Sequence, residues 1–167
     1  MAVLFNLLEV MEKNQRHSSD FEVFELGRTY HKLDEGGELP LERSGVCALL
    51  YRRRPEREIF FEARGALECL FEKMRIRSIE FRSIEGVSSR LEHGWSRESE
   101  GKDDLGSNRP GVSPGRALAG YVGGAPVGAL YELHPRILSR LDVPGAAAVF
   151  ELDLEALMAH RSDEIAY

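Results

Sequence analysis

Two stretches of the chain have a strand–turn–strand pattern, and this pattern constrains the fold more than any other feature. The first runs from Asp20 to Arg52, where "DFEVFELG" and "SGVCALLYR" flank the turn-like "DEGGELP". The second, "RALAGYVGGAPVGALYEL", places "GGA" between two apolar runs. Because such short connections join antiparallel strands, the sequence predicts an α+β fold with an antiparallel sheet flanked by helices.

Helical spacing and shorter strand patterns account for most of the remaining chain. Apolar residues at three- and four-residue spacing predict an N-terminal amphipathic helix and a longer one within "PEREIFFEARGALECLFEKMRIR". The first stripe is Leu4, Leu7, Leu8 and Met11; the second is Phe60, Ala63, Leu67, Leu70, Phe71 and Met74. "SIEFRSIEG" predicts a half-exposed strand, and "HPRILSRL" a short helix with proline in its first turn. "AAVFELDLEALMAH" predicts a strand, an Asp153 cap and a terminal helix.

The strand after Asp20 carries apolar residues on both faces. Phe21 and Val23 alternate with Phe24 and Leu26, which is typical of an inner strand covered on two sides. We therefore predict that Phe24 and Leu26 are buried on one face. Gly27 in this segment predicts a bulge or a close approach of another backbone segment.

Length and charge favour one soluble domain over residues 1–167. The chain is 43% hydrophobic and 30% charged, with a net charge of −6, so its overall charge does not favour polyanions. The apolar start is interrupted by Asn6 and Glu9 and has no basic segment before it, so we expect neither a signal peptide nor a membrane span. The expected location is the cytoplasm. Residues 86–114, where apolar residues are scarce, are predicted to be a polar insertion or flap.

Several short motifs each have a chemical and a structural interpretation. "GGAPVG" is a phosphate loop or a hairpin turn, and the strand that follows it favours the turn. "RRRPER" is a phosphate grip or a solvated loop, and His134 is a base, a metal ligand or a structural residue at a helix start. Cys47 and Cys69 have no further thiol or histidine at metal-ligand spacing, so we predict two buried free thiols and no metal site. Taken alone, these residues indicate an α+β domain without visible catalytic groups.

Four blocks of the chain, taken in order, resemble the catalytic-like module of the bacterial phenylalanyl-tRNA synthetase β subunit. They are "FNLLEVMEKNQRHSSDFEVFELGRTYH", "EIFFEARGALECLFEKM", "SPGRALAGYVGGAPVGALYELHPRIL" and "AVFELDLEAL". The resemblance runs nearly end to end and implies a class II aminoacyl-tRNA synthetase-like fold. It also implies that "FELGRTYH" is the strand at the place of the second signature motif.

Departures from the family pattern bear on catalysis. Ile59, Glu62 and Arg64 stand at the family's acidic and lysine positions, Ser113 replaces a histidine, and Leu118 replaces an alanine. A class II site needs arginines that neutralise the transferring phosphate. However, Val23 and Phe24 precede Glu25, and no arginine follows the "GGAPVG" glycines. The resemblance therefore implies a non-catalytic module in a ligase family, with no catalytic residues in this chain alone.

The resemblance also supplies candidate site residues and partners. The family-motif positions that could line a cleft are Glu25, Arg28, Arg116, Glu132 and His134. No cofactor is implied for this chain; ATP and magnesium belong to the full complex. The implied partner is the catalytic α subunit, with tRNA bound only through the full complex.

Two functions remain open on the sequence alone. The first is a supporting module of the ligase, as a fragment or as a piece of a split β subunit. The alternative is a stand-alone paralogue that binds an amino acid or nucleotide in the cleft. When isolated, the chain is expected to form a homodimer, and the apolar stripe from Leu4 to Met11 is the expected contact.

Overall fold

The computed structural model describes residues 2–31, 41–84 and 112–161. These residues form four helices and six strands. In chain order the elements are α1 (Ala2–Asn14), β1 (Asp20–His31), β2 (Leu41–Arg52), α2 (Ile59–Lys73), β3 (Ile79–Ser83), β4 (Val112–Val122), β5 (Ala125–Leu133), α3 (Pro135–Arg140), β6 (Ala146–Asp153) and α4 (Leu154–Met158). Most of the predicted segments agree with these bounds.

All six strands belong to one sheet, with the order β1-β2-β6-β5-β4-β3. Each neighbouring pair is antiparallel, which confirms the predicted α+β class. The hairpins β1-β2 and β4-β5 form as expected, and β6 lies between them. Gly123 and Gly124 form the β4-β5 turn with φ values of 58° and 80°. Two positive φ angles are what a two-residue hairpin turn requires.

The sheet carries a hydrophobic core on each of its two faces. On one face, α2 and α4 cover a cluster that includes Leu50, Leu67, Leu130, Phe150 and Leu157. On the other face, α1 and α3 cover a second cluster that includes Leu7, Met11, Leu49, Tyr51, Leu138 and Val149. We refer to these as the α2 face and the α1 face. Burial on both sides explains the nearly continuous apolar runs in β2, β5 and β6.

The stripe of α1 belongs to the second cluster and is not an exposed contact surface. Leu7 and Met11 are buried, and Leu4 and Leu8 are partly buried against the same cluster. The expectation that this stripe forms a dimer contact is therefore wrong, because the helix uses it to cover the sheet.

The prediction that β1 is an inner strand is also wrong. β1 is the outermost strand of the sheet and pairs with β2. Phe21 and Val23 pack on the α1 face, but Phe24 and Leu26 are 70% and 65% exposed on the opposite face. Although β1 has apolar residues on both faces, other elements of the fold cover only one of them. The predicted bulge at Gly27 does not form, because its register with Gly45 of β2 is regular. The close approach there is made by a side chain and not by backbone: an added Cβ would lie 2.5 Å from the Val3 Cγ2 atom of α1.

Asp153 caps α4 as the sequence predicts. Its side chain accepts a hydrogen bond from the Ala156 amide at 2.9 Å, which satisfies one of the unpaired donors at the helix start. The predicted insertion at 86–114 falls mostly outside the described residues, and its last three positions belong to β4. Within the described ranges, no helix is both long and apolar enough to cross a membrane.

Candidate functional site

The structure brings together two of the five candidate residues and separates the others. Arg116 on β4 and Glu132 on β5 lie on neighbouring strands beside the start of α2. Glu25 and Arg28 lie on β1, four strands away from β4, or about 19 Å at the usual strand spacing of about 4.8 Å. His134 follows the end of β5. The five residues therefore do not line one cleft.

Arg116 is the centre of a contact between β4 and α2. Its two terminal nitrogens donate to the two carboxylate oxygens of Glu58 at 2.6 and 2.7 Å. The guanidinium also lies 5.4 Å from the ring centre of Phe61 and 5.8 Å from that of Phe60, within the range of cation–π attraction. Glu58 precedes the first turn of α2 without capping it. This paired geometry is a strong form of arginine–carboxylate contact.

The Arg116–Glu58 contact shifts the pKa of both groups. Hydrogen bonding to Arg116 lowers the pKa of Glu58, and bonding to Glu58 raises the pKa of Arg116. Burial raises the pKa of Glu132, opposed by the charge of Arg116 and assisted by that of Glu58. Arg116 therefore interacts with the carboxylates of both Glu58 and Glu132, so its guanidinium is poorly placed to bind a phosphate.

His134 has a structural contact, in line with one of its two interpretations. It is the residue before the first turn of α3, and its Nδ1 atom accepts from the Arg136 amide at 3.1 Å. An unprotonated ring nitrogen in this role replaces the usual serine or aspartate cap. No group of three His, Cys, Asp or Glu residues that could hold a metal is found in the described part of the chain.

Glu25 belongs to a polar row that crosses the α1 face of the sheet. It pairs in register with Cys47 on β2, which pairs with Glu151 on β6. The Asn6 amide donates to Glu25 at 3.1 Å, and the Tyr131 hydroxyl donates to Glu151 at 3.0 Å. We call Glu25, Cys47, Glu151 and Tyr131 the polar row.

Two further charged residues, Arg43 and Asp153, lie near the polar row. Arg43 donates to Asp153 at 2.9 Å; Asp153 lies two residues after Glu151 on β6, and Arg43 lies four residues before Cys47 on β2. Arg28 lies exposed on the opposite, α2 face of β1, because neighbouring residues of a strand point to opposite faces. The row therefore has two carboxylates, a thiol and a hydroxyl, while the nearby Arg43 is engaged by Asp153.

Neither polar cluster fits ATP. A triphosphate carries several negative charges and needs cations aimed at them. The polar row instead presents Glu25 and Glu151, and the guanidinium of Arg116 is already bound by Glu58. These two clusters therefore lack the available cations that a triphosphate needs.

Cys47 is the thiol of the polar row. It is buried, and burial together with the charges of Glu151 and Glu25 raises its pKa well above the ordinary value. Cys69 is exposed on α2, so the prediction of two buried thiols is wrong for Cys69. Leu67 and Phe71 of α2 are buried against the sheet, and Cys69, two residues from each, lies on the opposite side of the helix.

We expect one fast thiol in the native chain and two after unfolding. Only a thiolate reacts readily, and Cys47 is both shielded and protonated. Titration with a chromogenic disulfide reagent, with and without denaturant, measures this count. The Cys69→Ser variant is the control, and it should lose the fast reaction. Equal rates for both native thiols would contradict the buried position of Cys47.

The "RRRPER" segment makes structural contacts. Arg52 forms ion pairs with Glu22 of β1 and Glu62 of α2. Arg53 donates to the Gln15 side chain at 2.9 Å, linking this loop to the end of α1. These contacts agree with the loop interpretation more than with a phosphate grip.

Sequence reasoning missed Glu58, Glu151 and Tyr131. All three are polar residues whose partners lie far away in the chain: Glu58 contacts Arg116, and Tyr131 contacts Glu151. The alternation of β6, "AAAVFELD", placed Glu151 on one face with Val149, which was the one available signal. The register between strands was needed to assemble the row.

A family comparison decides the classification. The chain matches the family described as "Phenylalanyl tRNA synthetase beta chain CLM domain" over residues 1–154. The chain belongs to this family. The resemblance seen in the four sequence blocks is thereby confirmed, and the phenylalanyl-tRNA synthetase β chain CLM domain accounts for nearly the whole length.

Curated relatives carry the same family name. The chain is 26% identical to the phenylalanine–tRNA ligase β subunit of Syntrophus aciditrophicus over 174 residues, covering 99% of this chain and 19% of the relative. It is 32% identical to that of Symbiobacterium thermophilum over 161 residues, covering 91% of this chain and 15% of the relative. The chain thus spans less than a fifth of the length of these relatives.

Solved structures with the same fold include a class II enzyme. A pyrrolysyl-tRNA synthetase of Desulfitobacterium hafniense, PylSc, aligns with a TM-score of 0.62 at 15% identity, covering 92% of this chain and 45% of the enzyme. A second structure of pyrrolysyl-tRNA synthetase from that organism gives 0.61 at 14% identity, covering 97% of this chain and 52% of the enzyme. At this identity the likeness shows the fold alone. It confirms the class II synthetase-like sheet.

Proposed function

We propose that this chain is a non-catalytic, class II synthetase-like module of a phenylalanine–tRNA ligase β subunit. Its role is to support the catalytic α subunit during aminoacylation of tRNA with phenylalanine. The family match over residues 1–154 carries this proposal. ATP and magnesium then act in the full complex and not on this chain.

The charges of the described residues favour a structural role beside the α subunit over a catalytic role. Arg116, the cation of the "SPGRAL" motif, is bound to Glu58 and stacked on two phenylalanine rings. The polar row puts carboxylates, not arginines, across the middle of the α1 face. Transfer chemistry on a phosphate is disfavoured at either place, because the developing charge would meet no free cation.

The alternative function, a small-molecule-binding paralogue, receives no support from the comparisons. The curated relatives quoted above are all named as phenylalanine–tRNA ligase β subunits. The ligase module is therefore the one function we propose.

The remaining parts of the proposal concern location and partners. We place the chain in the cytoplasm with the translation machinery and assign tRNA contact to the full complex. We also propose that the isolated chain forms a homodimer, because β1 leaves two large apolar side chains exposed at the open edge of the sheet.

The test of the catalytic part is phenylalanine-dependent exchange between ATP and pyrophosphate. The purified chain should show no exchange above a blank, while the complete ligase of the same organism serves as the positive control. Exchange that survives repurification and disappears in the Arg116→Ala or Arg28→Ala variant would overturn the non-catalytic assignment.

The test of the supporting part is binding to the α subunit. The chain, tagged and co-expressed with the α subunit of its own organism, should retain it through size-exclusion chromatography. Absence of any complex would contradict the supporting role. The exchange result is independent, so the two parts can fail separately.

A further inference from the structure

The outer edge of β1 is the largest unpaired backbone surface that the described sheet presents. β1 has 12 residues and forms one end of the strand order. Among the residues that the structure describes, no strand pairs with its outer side. Such an edge is a template for one more strand, and natural proteins often block it with lysine, proline or a bulge. No lysine, proline or bulge occurs between Asp20 and Arg28, and Glu25 is the one charge that this stretch directs to the α1 face.

The exposed α2-face side of β1 has a symmetric pattern. At every second position it carries Glu22, Phe24, Leu26 and Arg28, so two apolar residues lie between an acid and a base. Phe24 and Leu26 are among the most exposed large apolar side chains of the described residues. Glu22 and Arg28 are also exposed, and Glu22 keeps its ion pair with Arg52 of its own chain.

We propose that two copies of the chain pair β1 with β1 antiparallel, around a two-fold axis at Glu25. This deepens the homodimer proposed above. Phe24 then lies opposite Leu26 of the second copy, and Glu22 lies opposite Arg28. The pattern is thus its own complement in both shape and charge, which is what a two-fold contact requires. The product is one continuous sheet of twelve strands, twice the six of one chain.

Neighbouring registers fit less well. Moving the axis to Phe24 sets Glu22 opposite Leu26, and moving it to Leu26 sets Phe24 opposite Arg28. Each shift puts a charge against an apolar side chain, and the shift to Phe24 exchanges the Glu22–Arg28 pair for an Asp20–Arg28 pair. Since cross-strand pairs determine register, the axis at Glu25 is the favoured one.

The same register has one unfavourable pair on the α1 face. Glu25 lies opposite Glu25 of the second copy, and like charges directly opposite weaken a strand pair. Each carboxylate accepts a hydrogen bond from Asn6 of its own chain at 3.1 Å. This pair makes the register testable by a substitution that leaves the apolar contact unchanged.

Sedimentation velocity over a range of micromolar concentrations tests the interface. Wild type is expected to be a dimer. Phe24→Lys and Leu26→Lys should each weaken it by about ten-fold or more, with an unchanged circular dichroism spectrum because both side chains are exposed in the monomer. Phe5→Lys is the matched control: Phe5 is 59% exposed but lies on α1, and this variant should dimerise like wild type.

A separate variant tests the register. Glu25→Gln should tighten the dimer by about three-fold or more, because it removes the opposed charges. A monomeric wild type, or equal weakening by Phe5→Lys, would overturn the interface. An unchanged dissociation constant in Glu25→Gln would overturn the register. A failed interface or register would leave the family assignment and the result of the exchange assay unchanged.

Discussion

Replacing Leu49 by alanine is expected to lower the free energy of unfolding by about 2 to 5 kcal/mol, the range for a fully buried leucine. Leu49 is completely buried on β2, between Val23 of β1 and Val149 of β6 in the strand register. It belongs to the cluster that α1 covers with Leu7 and Met11. The helix cannot close the space left by the side chain, because other buried residues of the cluster hold it in place.

The matched control is Phe24→Ala on the neighbouring strand. Phe24 is larger than Leu49, but its exposure means that little burial is lost, and we expect a change below about 1 kcal/mol. Chemical denaturation of both variants, at a concentration where the chain is monomeric, measures the difference. A greater loss for Phe24→Ala than for Leu49→Ala would show that β1 is covered and that its place at the sheet edge is wrong.

Replacing Gly145 by alanine should destabilise the chain by about 2 to 6 kcal/mol. Gly145 has a φ of 101°, where any other residue is strained by about 1 to 3 kcal/mol. An added Cβ would also overlap the carbonyl oxygen of Arg52 and lie 2.7 Å from the Arg53 Cα atom. Overpacking against backbone adds about 1 to 3 kcal/mol, since neither strand end can move away freely.

A second glycine provides a control of opposite sign. Gly65 lies exposed inside α2, and an added Cβ there would meet no atom within 4 Å. Gly65→Ala should therefore stabilise the chain by about 0.5 to 1 kcal/mol, because alanine restricts the unfolded chain and favours helix. Thermal or chemical unfolding of the two variants gives the comparison. Destabilisation by both, to a similar extent, would contradict the described loop at Gly145.

Local patterns predicted the elements well because they depend on neighbouring residues. The spacing of Phe60, Ala63 and Leu67 predicted α2, and the two glycines after Val122 predicted the β4-β5 turn. Asp153 before "LEALM" predicted the cap of α4. The physical causes are helix periodicity, backbone freedom and a side-chain acceptor. Each of them lies within a few residues of the element that it determines.

The position of β1 in the sheet could not be predicted in the same way. β1 carries apolar residues on both faces, namely Phe21 and Val23 on one and Phe24 and Leu26 on the other. The residues that cover a strand come from elsewhere in the chain. The structure supplies cover for one face only. The misplaced dimer contact has the same origin, since the stripe of α1 was seen without the sheet beneath it.

The candidate site was predicted in part for a similar reason. Family motifs identified Arg116 and Glu132, which do lie together. Their partner Glu58 comes from a different segment, 58 residues before Arg116. The polar row joins residues of β1, β2, β5 and β6, so it exists only once the strand order is known. Single positions are thus accessible from the sequence, whereas their grouping depends on the topology.

The position of β6 between the two hairpins affects how the protein folds during its synthesis. Among the described strands β6 is the last to leave the ribosome, yet it hydrogen-bonds with β2 on one side and β5 on the other. Until residue 153 has emerged, the two hairpins have no shared partner, and the apolar faces that β6 joins remain open to solvent. Pairings so distant in sequence form slowly, and exposed strand edges attract other chains meanwhile. We therefore expect the nascent chain to be most prone to association before β6 has emerged.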